Sequence, residues 1–285
     1  MRKHKERGSS FLTTFALVSR IRIARQRRGQ GEGEKTRRGN FKGTLFYLPV
    51  VGFFVSVIVF GLFTGLSFVI PEPFILILIV IVLQYFLFNL FHLDGLLDTV
   101  DAFVPFAEKE RRLEILKDLR LGSFAFFAGA VYIAAKLYIL TKAALYFHIL
   151  QADPLSRYAV LFLFFTYPVT GRAAAAFVPL FAGPAKREGL GALIADCRPA
   201  SALAGACFAV LPALVLFFTA FFLHHYISLL FLLPLSGKLV AGAISGFLYR
   251  RKAGGYTGDA FGFAVETGEL AHIFIFYMIL VYGLG

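Results

Sequence analysis

The stretch Phe74-Ile-Leu-Ile-Leu-Ile-Val-Ile-Val-Leu-Gln-Tyr-Phe-Leu-Phe-Asn-Leu-Phe-His92 runs without a break into Leu93-Asp-Gly-Leu-Leu-Asp-Thr-Val-Asp101. The first part carries no Asp, Glu, Lys or Arg. A helix crosses the hydrocarbon core of a bilayer in about 20 predominantly apolar residues, so the segment 74–92 predicts a transmembrane helix. The second part places Asp94, Asp98 and Asp101 at i, i+4 and i+7, one narrow stripe of a helix face, with Leu96, Leu97 and Val100 on other faces. One Asp at the bilayer centre costs about 2.5–3.5 kcal/mol, and three would cost roughly 7–10 kcal/mol. The chain avoids this by position: 74–92 already spans the core, so Asp94 arrives at its boundary.

The composition agrees with a membrane fold. Of 285 residues, 58% are hydrophobic and 16% charged, and Phe alone occurs 35 times. Soluble domains run roughly 45–50% apolar and about 25% charged. The mean hydropathy is +0.74. This excess is too large for a core of this size to hide, which excludes a soluble globular enzyme and a disordered chain. Cys197 and Cys207 are too few for a disulfide framework or a Cys-rich zinc site. Seven spans are predicted, at 44–70, 74–92, 122–147, 158–181, 200–223, 226–249 and 260–283. The expected fold is an all-α polytopic membrane helix bundle. Residues 1–42 form a basic cytoplasmic tail, and 43–285 form a single transmembrane catalytic domain.

Charge gives the orientation. Residues 1–42 hold 13 Lys/Arg against 3 Glu, almost all of the formal net charge of +12. A topogenic tail facing anionic lipid fits this segment, whereas nucleic-acid binding does not, because aromatic residues are not interleaved with the basic ones. Three connections, 93–121, 182–199 and 250–259, are long and charged; Pro71-Glu-Pro73, 148–157 and His224-His225 are short. With the tail in the cytoplasm, alternation puts all three charged connections there too, as the positive-inside rule requires. That places the protein in the cytoplasmic (inner) membrane.

Three like charges on one stripe repel unless a cation neutralises them, and hard oxygen ligands suit Mg²⁺ or Mn²⁺ rather than zinc. A second acidic set opens the last span: Asp259, then Glu266 on the same face, and Glu269 off it. Acids this far inside a span must face the bundle interior or a wet cavity, as part of the site or as a structural hydrogen-bond network. Opposite charges come from Lys117, Asp118 and Arg120 just before Gly122, from Arg172 inside the fourth span, and from Lys186 and Arg187. Arg172 is expected to pair with a carboxylate or a bound anion. Lys186 and Arg187 read equally as phosphate ligands or as plain positive-inside charges. His92 reads as a metal or phosphate ligand, or as a satisfied interfacial histidine. Lys136, Lys142 and Lys238 read as snorkelling or structural, and Glu108–Arg112 as an i, i+4 pair on a solvated helix. No Ser-His-Asp set, P-loop or nucleotide-binding glycine motif is present. The ingredients point to metal-assisted phosphoryl transfer on a bulky or lipid-like substrate.

The motif His92-Leu-Asp-Gly-Leu-Leu-Asp-Thr-Val-Asp-Ala102 resembles the acidic motif of the cobalamin synthase, or adenosylcobinamide-GDP ribazoletransferase, family. Tyr47-Leu-Pro-Val-Val-Gly52, Glu110-Arg-Arg-Leu-Glu-Ile-Leu-Lys-Asp-Leu-Arg-Leu-Gly122, Gly171-Arg172, Lys186–Gly191, and Thr257-Gly-Asp259 with Glu266 and Glu269 follow in the family's order. The resemblance implies an Mg²⁺-dependent reaction. A ribose hydroxyl of α-ribazole, or of its 5′-phosphate, attacks the cobinamide-linked phosphorus of adenosylcobinamide-GDP and releases GMP. It also implies roles. Asp94, Asp98 and Asp101 hold the metal, with Asp259 and Glu266 completing the site, and Lys117, Arg120 and Arg172 steady the diphosphate. The carboxylate acting as base, and a homo-oligomeric assembly, stay open. The rival readings are a CDP-alcohol phosphotransferase, an intramembrane prenyltransferase, and a transporter with midplane carboxylates. The first wants Ala-Arg where Leu97-Asp98 stand, and the second wants a stronger second Asp-rich motif. The third wants acids spread through the membrane, whereas here they crowd one predicted face.

Overall fold

The computed structural model describes residues 11–16, 41, 43–118, 120–149, 154–186, 190–195, 197, 200–205, 207–208, 211, 214, 218, 233–234 and 236–283. The first long helix, α1, covers Thr44–Ser67. After Pro71-Glu-Pro73 comes α2, Pro73–Gln84, whose N-terminus is capped by the Glu72 carboxylate accepting from the Phe74 and Ile75 N–H groups. A single π turn, Tyr85–Asn89, joins α2 to α3, Leu90–Phe103. A short helix, α4, Lys109–Ile115, lies in the following connection. Then come α5, Ser123–Ile149; α6, Pro154–Phe181; the short α7, Leu190–Ile194; α8, Ser236–Lys252; and α9, Gly258–Gly283. Among the described residues there is no strand, only an isolated bridge between Pro184 and Tyr256.

Five helical segments are long and apolar enough to cross a membrane: Thr44–Ser67, Pro73–Phe103, Ser123–Phe147, Ser156–Phe181 and Gly258–Tyr282. They match the first four predicted spans and the last. The predicted span 200–223, and the beginning of 226–249, lie largely outside the described residues, as does nearly all of the basic tail. The second span is longer than expected. No proline follows Pro73 in it, so the helix carries on past the bilayer boundary and the three Asp residues ride on the same rod.

The distribution of polarity is that of a membrane protein. Phe54, Ile75, Val82, Phe86, Phe126 and Phe127 face outward and are exposed, while Gln84, Asn89, Lys136, Arg172, Glu266, Glu269 and His272 are buried inside. Lipid offers no hydrogen bonds, so polar side chains at that depth must find partners within the bundle. The central helix is α6, packed against α1, α8 and α9. Its Ala173–Ala176 run is wholly buried, in keeping with the small residues that let membrane helices approach.

Two glycines set the positions that matter. At Gly95 a β-carbon would stand 2.8 Å from the Asp259 carbonyl oxygen and 3.1 Å from the Gly262 α-carbon. Helices α3 and α9 therefore cross with their backbones in contact, and that crossing puts Asp94 beside Asp259. At Gly171 a β-carbon would lie 2.5 Å from Glu269 Cγ and 2.6 Å from the Val265 carbonyl oxygen, so α6 and α9 close onto one another around the Glu269 side chain.

The charged connections meet at one end of the bundle. Tyr256 N–H donates to the Gly183 carbonyl and Ala185 N–H to that of Tyr256, at 2.8 and 3.0 Å. Lys252 Nζ reaches the Phe103 carbonyl, and Arg112 Nη1 the Lys252 carbonyl, each at 3.4 Å. Arg112 thus turns away from Glu108, and the ion pair on α4 is Arg111–Glu114 at 2.9 Å instead.

Candidate active site

At this charged end a cavity of about 400 Å³ opens between α1, α3, α6 and α9. Asp94 from α3 and Asp259 from α9 line it together, with His92, Thr44 and a mainly apolar wall. Asp259 sits in the first turn of α9, where a carboxylate is favoured by the free N–H groups. Thr257 Oγ1 donates to its Oδ2 at 2.9 Å and holds its rotamer. Asp98, half-buried one turn on from Asp94, lies in the electrostatic field of Asp94, Asp259 and Asp101. Lys186, exposed beyond the end of α6, is close enough to Asp259 to feel its charge. Partial loss of hydration, then the neighbouring Lys117 ammonium, holds the Lys186 amine below its usual range, while Asp259 acts in the opposite direction. Two ammonium groups side by side next to an acid form a ready anion site.

The five carboxylates expected to share one ion do not form one cluster. Asp101 spends both oxygens on a helix start, Oδ2 accepting from Gly122 N–H at 2.6 Å and Oδ1 from Ala125 N–H at 2.8 Å. It caps α5. Glu266 and Glu269 lie deeper, about 10 and 15 Å along α9 from Asp259 at 1.5 Å per residue, in a separate buried network. Glu269 accepts from Lys136 Nζ at 2.6 Å, Arg172 Nη1 at 2.9 Å, and the Gln84 and Asn89 amides. Glu266 accepts from the Tyr85 and Tyr132 hydroxyls, both at 2.6 Å, and from Asn89 at 2.9 Å. Arg172 also donates to Asn89 Oδ1 and the Pro168 carbonyl. Tyr167 donates to Gln84 Oε1 at 2.5 Å. All four charged side chains are fully buried, and two acids balance two bases. Arg172 is thus paired with a carboxylate, as an intramembrane Arg should be, and is not brought to Lys117 and Lys186.

Lys136 and Lys238 are both buried, so neither snorkels. Arg120 forms a two-pronged pair with Asp118, at 3.1 and 2.9 Å, on the exposed loop. That fork holds the Asp118 carboxyl below its usual range. Arg187 lies outside the described residues. The members of the deep network that the sequence leaves unannounced are Gln84, Tyr85, Asn89, Tyr132 and Tyr167. Their only signal is polarity inside otherwise apolar spans. The π turn at Tyr85–Asn89 inserts an extra residue into the helix and turns Tyr85 and Asn89 inward together.

Hard oxygen donors that crowd one another without full neutralisation suit a small divalent cation. Among the described residues no three His, Cys, Asp or Glu side chains converge on one point closely enough to hold an ion by themselves. Asp94 and Asp259 are two carboxylates on one cavity, a number that Mg²⁺ commonly takes before water and substrate phosphate complete its shell.

Fold and site define a polytopic membrane enzyme with a one-sided carboxylate and lysine centre. The chain belongs to the cobalamin-5-phosphate synthase family, whose description it matches over residues 10–277. It is thus a transferase of cobalamin synthesis. It is 34% identical over 237 residues to an adenosylcobinamide-GDP ribazoletransferase of Kosmotoga olearia, covering 83% of this chain and 88% of that protein. A protein of the same name from Fervidobacterium nodosum is 32% identical over 265 residues, 93% of this chain and 95% of its own. One from Thermosipho melanesiensis is 31% identical over 252 residues, 88% and 91%. No solved structure matches the chain.

Proposed function

We propose that this protein joins a ribazole to adenosylcobinamide-GDP at the α3–α9 crossing. The observation that carries this is the placement of Asp94 and Asp259, from two separate helices, on the rim of one cavity, with Lys186 near Asp259 and Lys117 beside Lys186. A ribose hydroxyl of α-ribazole, or of its 5′-phosphate, attacks the phosphorus that carries cobinamide. The bond from that phosphorus to the bridging oxygen breaks, and GMP leaves with the oxygen. Lys117 and Lys186 bind the diphosphate oxygens. A carboxylate at the crossing accepts the hydroxyl proton, and Thr257 keeps Asp259 turned toward the cavity. Asp94 and Asp259 would hold Mg²⁺ directly and Asp98 through its water shell, and the ion would supply charge neutralisation of the diphosphate and the departing GMP. Purified protein in lipid nanodiscs is expected to release GMP from adenosylcobinamide-GDP only when a ribazole is present, to stop on chelation, and to recover with Mg²⁺. Absence of GMP release with Mg²⁺ and both substrates overturns the reading. Running α-ribazole and its 5′-phosphate in parallel identifies the acceptor.

The active-site end faces the cytoplasm of the inner membrane, since the cation-bearing connections gather there. With Cys197 and Cys207 replaced by Ser, a cysteine introduced as Glu110→Cys on exposed α4 is expected to react with an impermeant maleimide in inverted vesicles and not in intact spheroplasts. The reverse labelling pattern refutes this orientation.

A further inference from the structure

The cavity at the α3–α9 crossing has two unlike ends. Asp94 and Asp259 stand at its rim, while Leu48, Ala175 and Val265 make part of an apolar wall. Val265 lies six positions past Asp259, about 9 Å deeper along α9 at 1.5 Å per residue. Among the described residues no Lys or Arg lines the cavity; Lys117 and Lys186 are exposed and are not part of its lining. One residue lining the cavity carries a polar atom without a partner. His92 is buried, with 6% of its surface exposed, and its Nε2 has no hydrogen-bond partner among the described residues. A buried ring nitrogen without a partner is costly, and such groups in native structures call for a ligand or a function.

From these features we infer that the cavity is the subsite for the base of the attacking nucleoside, with His92 Nε2–H donating to a ring nitrogen of a flat, largely apolar heterocycle. This rests on the reading given under Proposed function and deepens it. A diphosphate is disfavoured there, because no described cation lines the walls and two carboxylates stand at the rim. The GDP-linked substrate therefore stays on the lysine side. A nucleoside seated base-first carries its ribose at the rim, where its hydroxyl meets Asp94 and Asp259, and any 5′-phosphate points outward to water. Small ligand sites commonly have this form, apolar walls with one or two placed polar groups that set orientation. His92 acts as a specificity-determining residue.

The test is steady-state GMP release by the full-length protein in nanodiscs, varying each substrate at saturation of the other. His92→Phe keeps a ring and loses the N–H; it is expected to raise the KM for the nucleoside about 10-fold and to leave the KM for adenosylcobinamide-GDP within about twofold, the size of one lost hydrogen bond. Ala175→Leu, which fills the cavity from α6, is expected to raise the same KM. Wild-type protein given a nucleoside whose acceptor ring nitrogen is replaced by C–H should show the same loss, and His92→Phe should not discriminate between the two nucleosides. The inference is overturned if His92→Phe raises the KM for the GDP-linked substrate instead, or if wild-type protein uses both nucleosides equally. Wild-type protein that releases no GMP at all refutes the underlying function, an outcome distinct from either of these.

Discussion

Asp259→Asn and Asp98→Asn are each expected to lower GMP release by on the order of 10³-fold while leaving the protein at least as resistant to thermal unfolding as the wild type. The two effects have opposite signs for one reason. Asp98 lies in the field of three like charges, Asp94, Asp259 and Asp101. Neutralising one member relieves repulsion in the folded protein. In the proposed reaction the same charge would bind the divalent cation and meet the transferring phosphoryl group, whose stabilisation is worth several kcal/mol, and each 1.36 kcal/mol is a factor of ten in rate. Asn keeps the size and shape of the side chain, so packing at the Gly95–Gly262 crossing is undisturbed. The checks are GMP quantification by chromatography and a melting curve in detergent. Wild-type turnover in either variant removes that carboxylate from the catalytic set. A large loss of stability would mean that the acid holds the fold together instead.

Glu269→Gln is expected to act on stability. Its carboxylate is the shared partner of Lys136 and Arg172, at 2.6 and 2.9 Å, with every side chain fully buried. Removing it leaves two buried cations facing Glu266 alone, and breaking a buried pair on one side costs about 3–5 kcal/mol. Balance returns if a cation leaves as well. The double variant Glu269→Gln, Lys136→Met pairs Arg172 with the remaining acid and is expected to recover a substantial part of the loss. Thermal unfolding of the wild type, both single variants and the double variant forms a cycle whose coupling is the readout. Strictly additive losses would mean that these groups do not form one neutral network. Glu266 and Glu269 of α9 thus act as counter-ions that let α5 and α6 carry Lys136 and Arg172 through the apolar layer.

The match between sequence and structure differs by element. The second span and its Asp stripe were legible because length, hydropathy and a period of 3.6 residues are properties of one helix. Asp94, Asp98 and Asp259 were legible as a set because carboxylates beside a membrane boundary need a reason to be there. Asp101 shares the stripe, and its stripe position does not reveal that it caps α5, since the partners Gly122 and Ala125 come from another segment. The i, i+7 spacing of Asp259 and Glu266 likewise suggested a common site, yet one faces the cavity and the other the tyrosines of α2–α5. Lys136 read as either snorkelling or structural, and the sequence could not choose because its partner lies 133 positions away.

By itself the sequence determined a membrane-crossing helical bundle, the end at which its charges gather, and the family, because hydropathy, charge bias and ordered motifs are all written along one chain. Only the tertiary structure decided which acids meet. That choice depends on where α3, α6 and α9 cross, and glycine contacts between distant segments set those crossings. Side chains a few residues apart on one helix were thereby separated into a wet cavity rim and a dry neutral network.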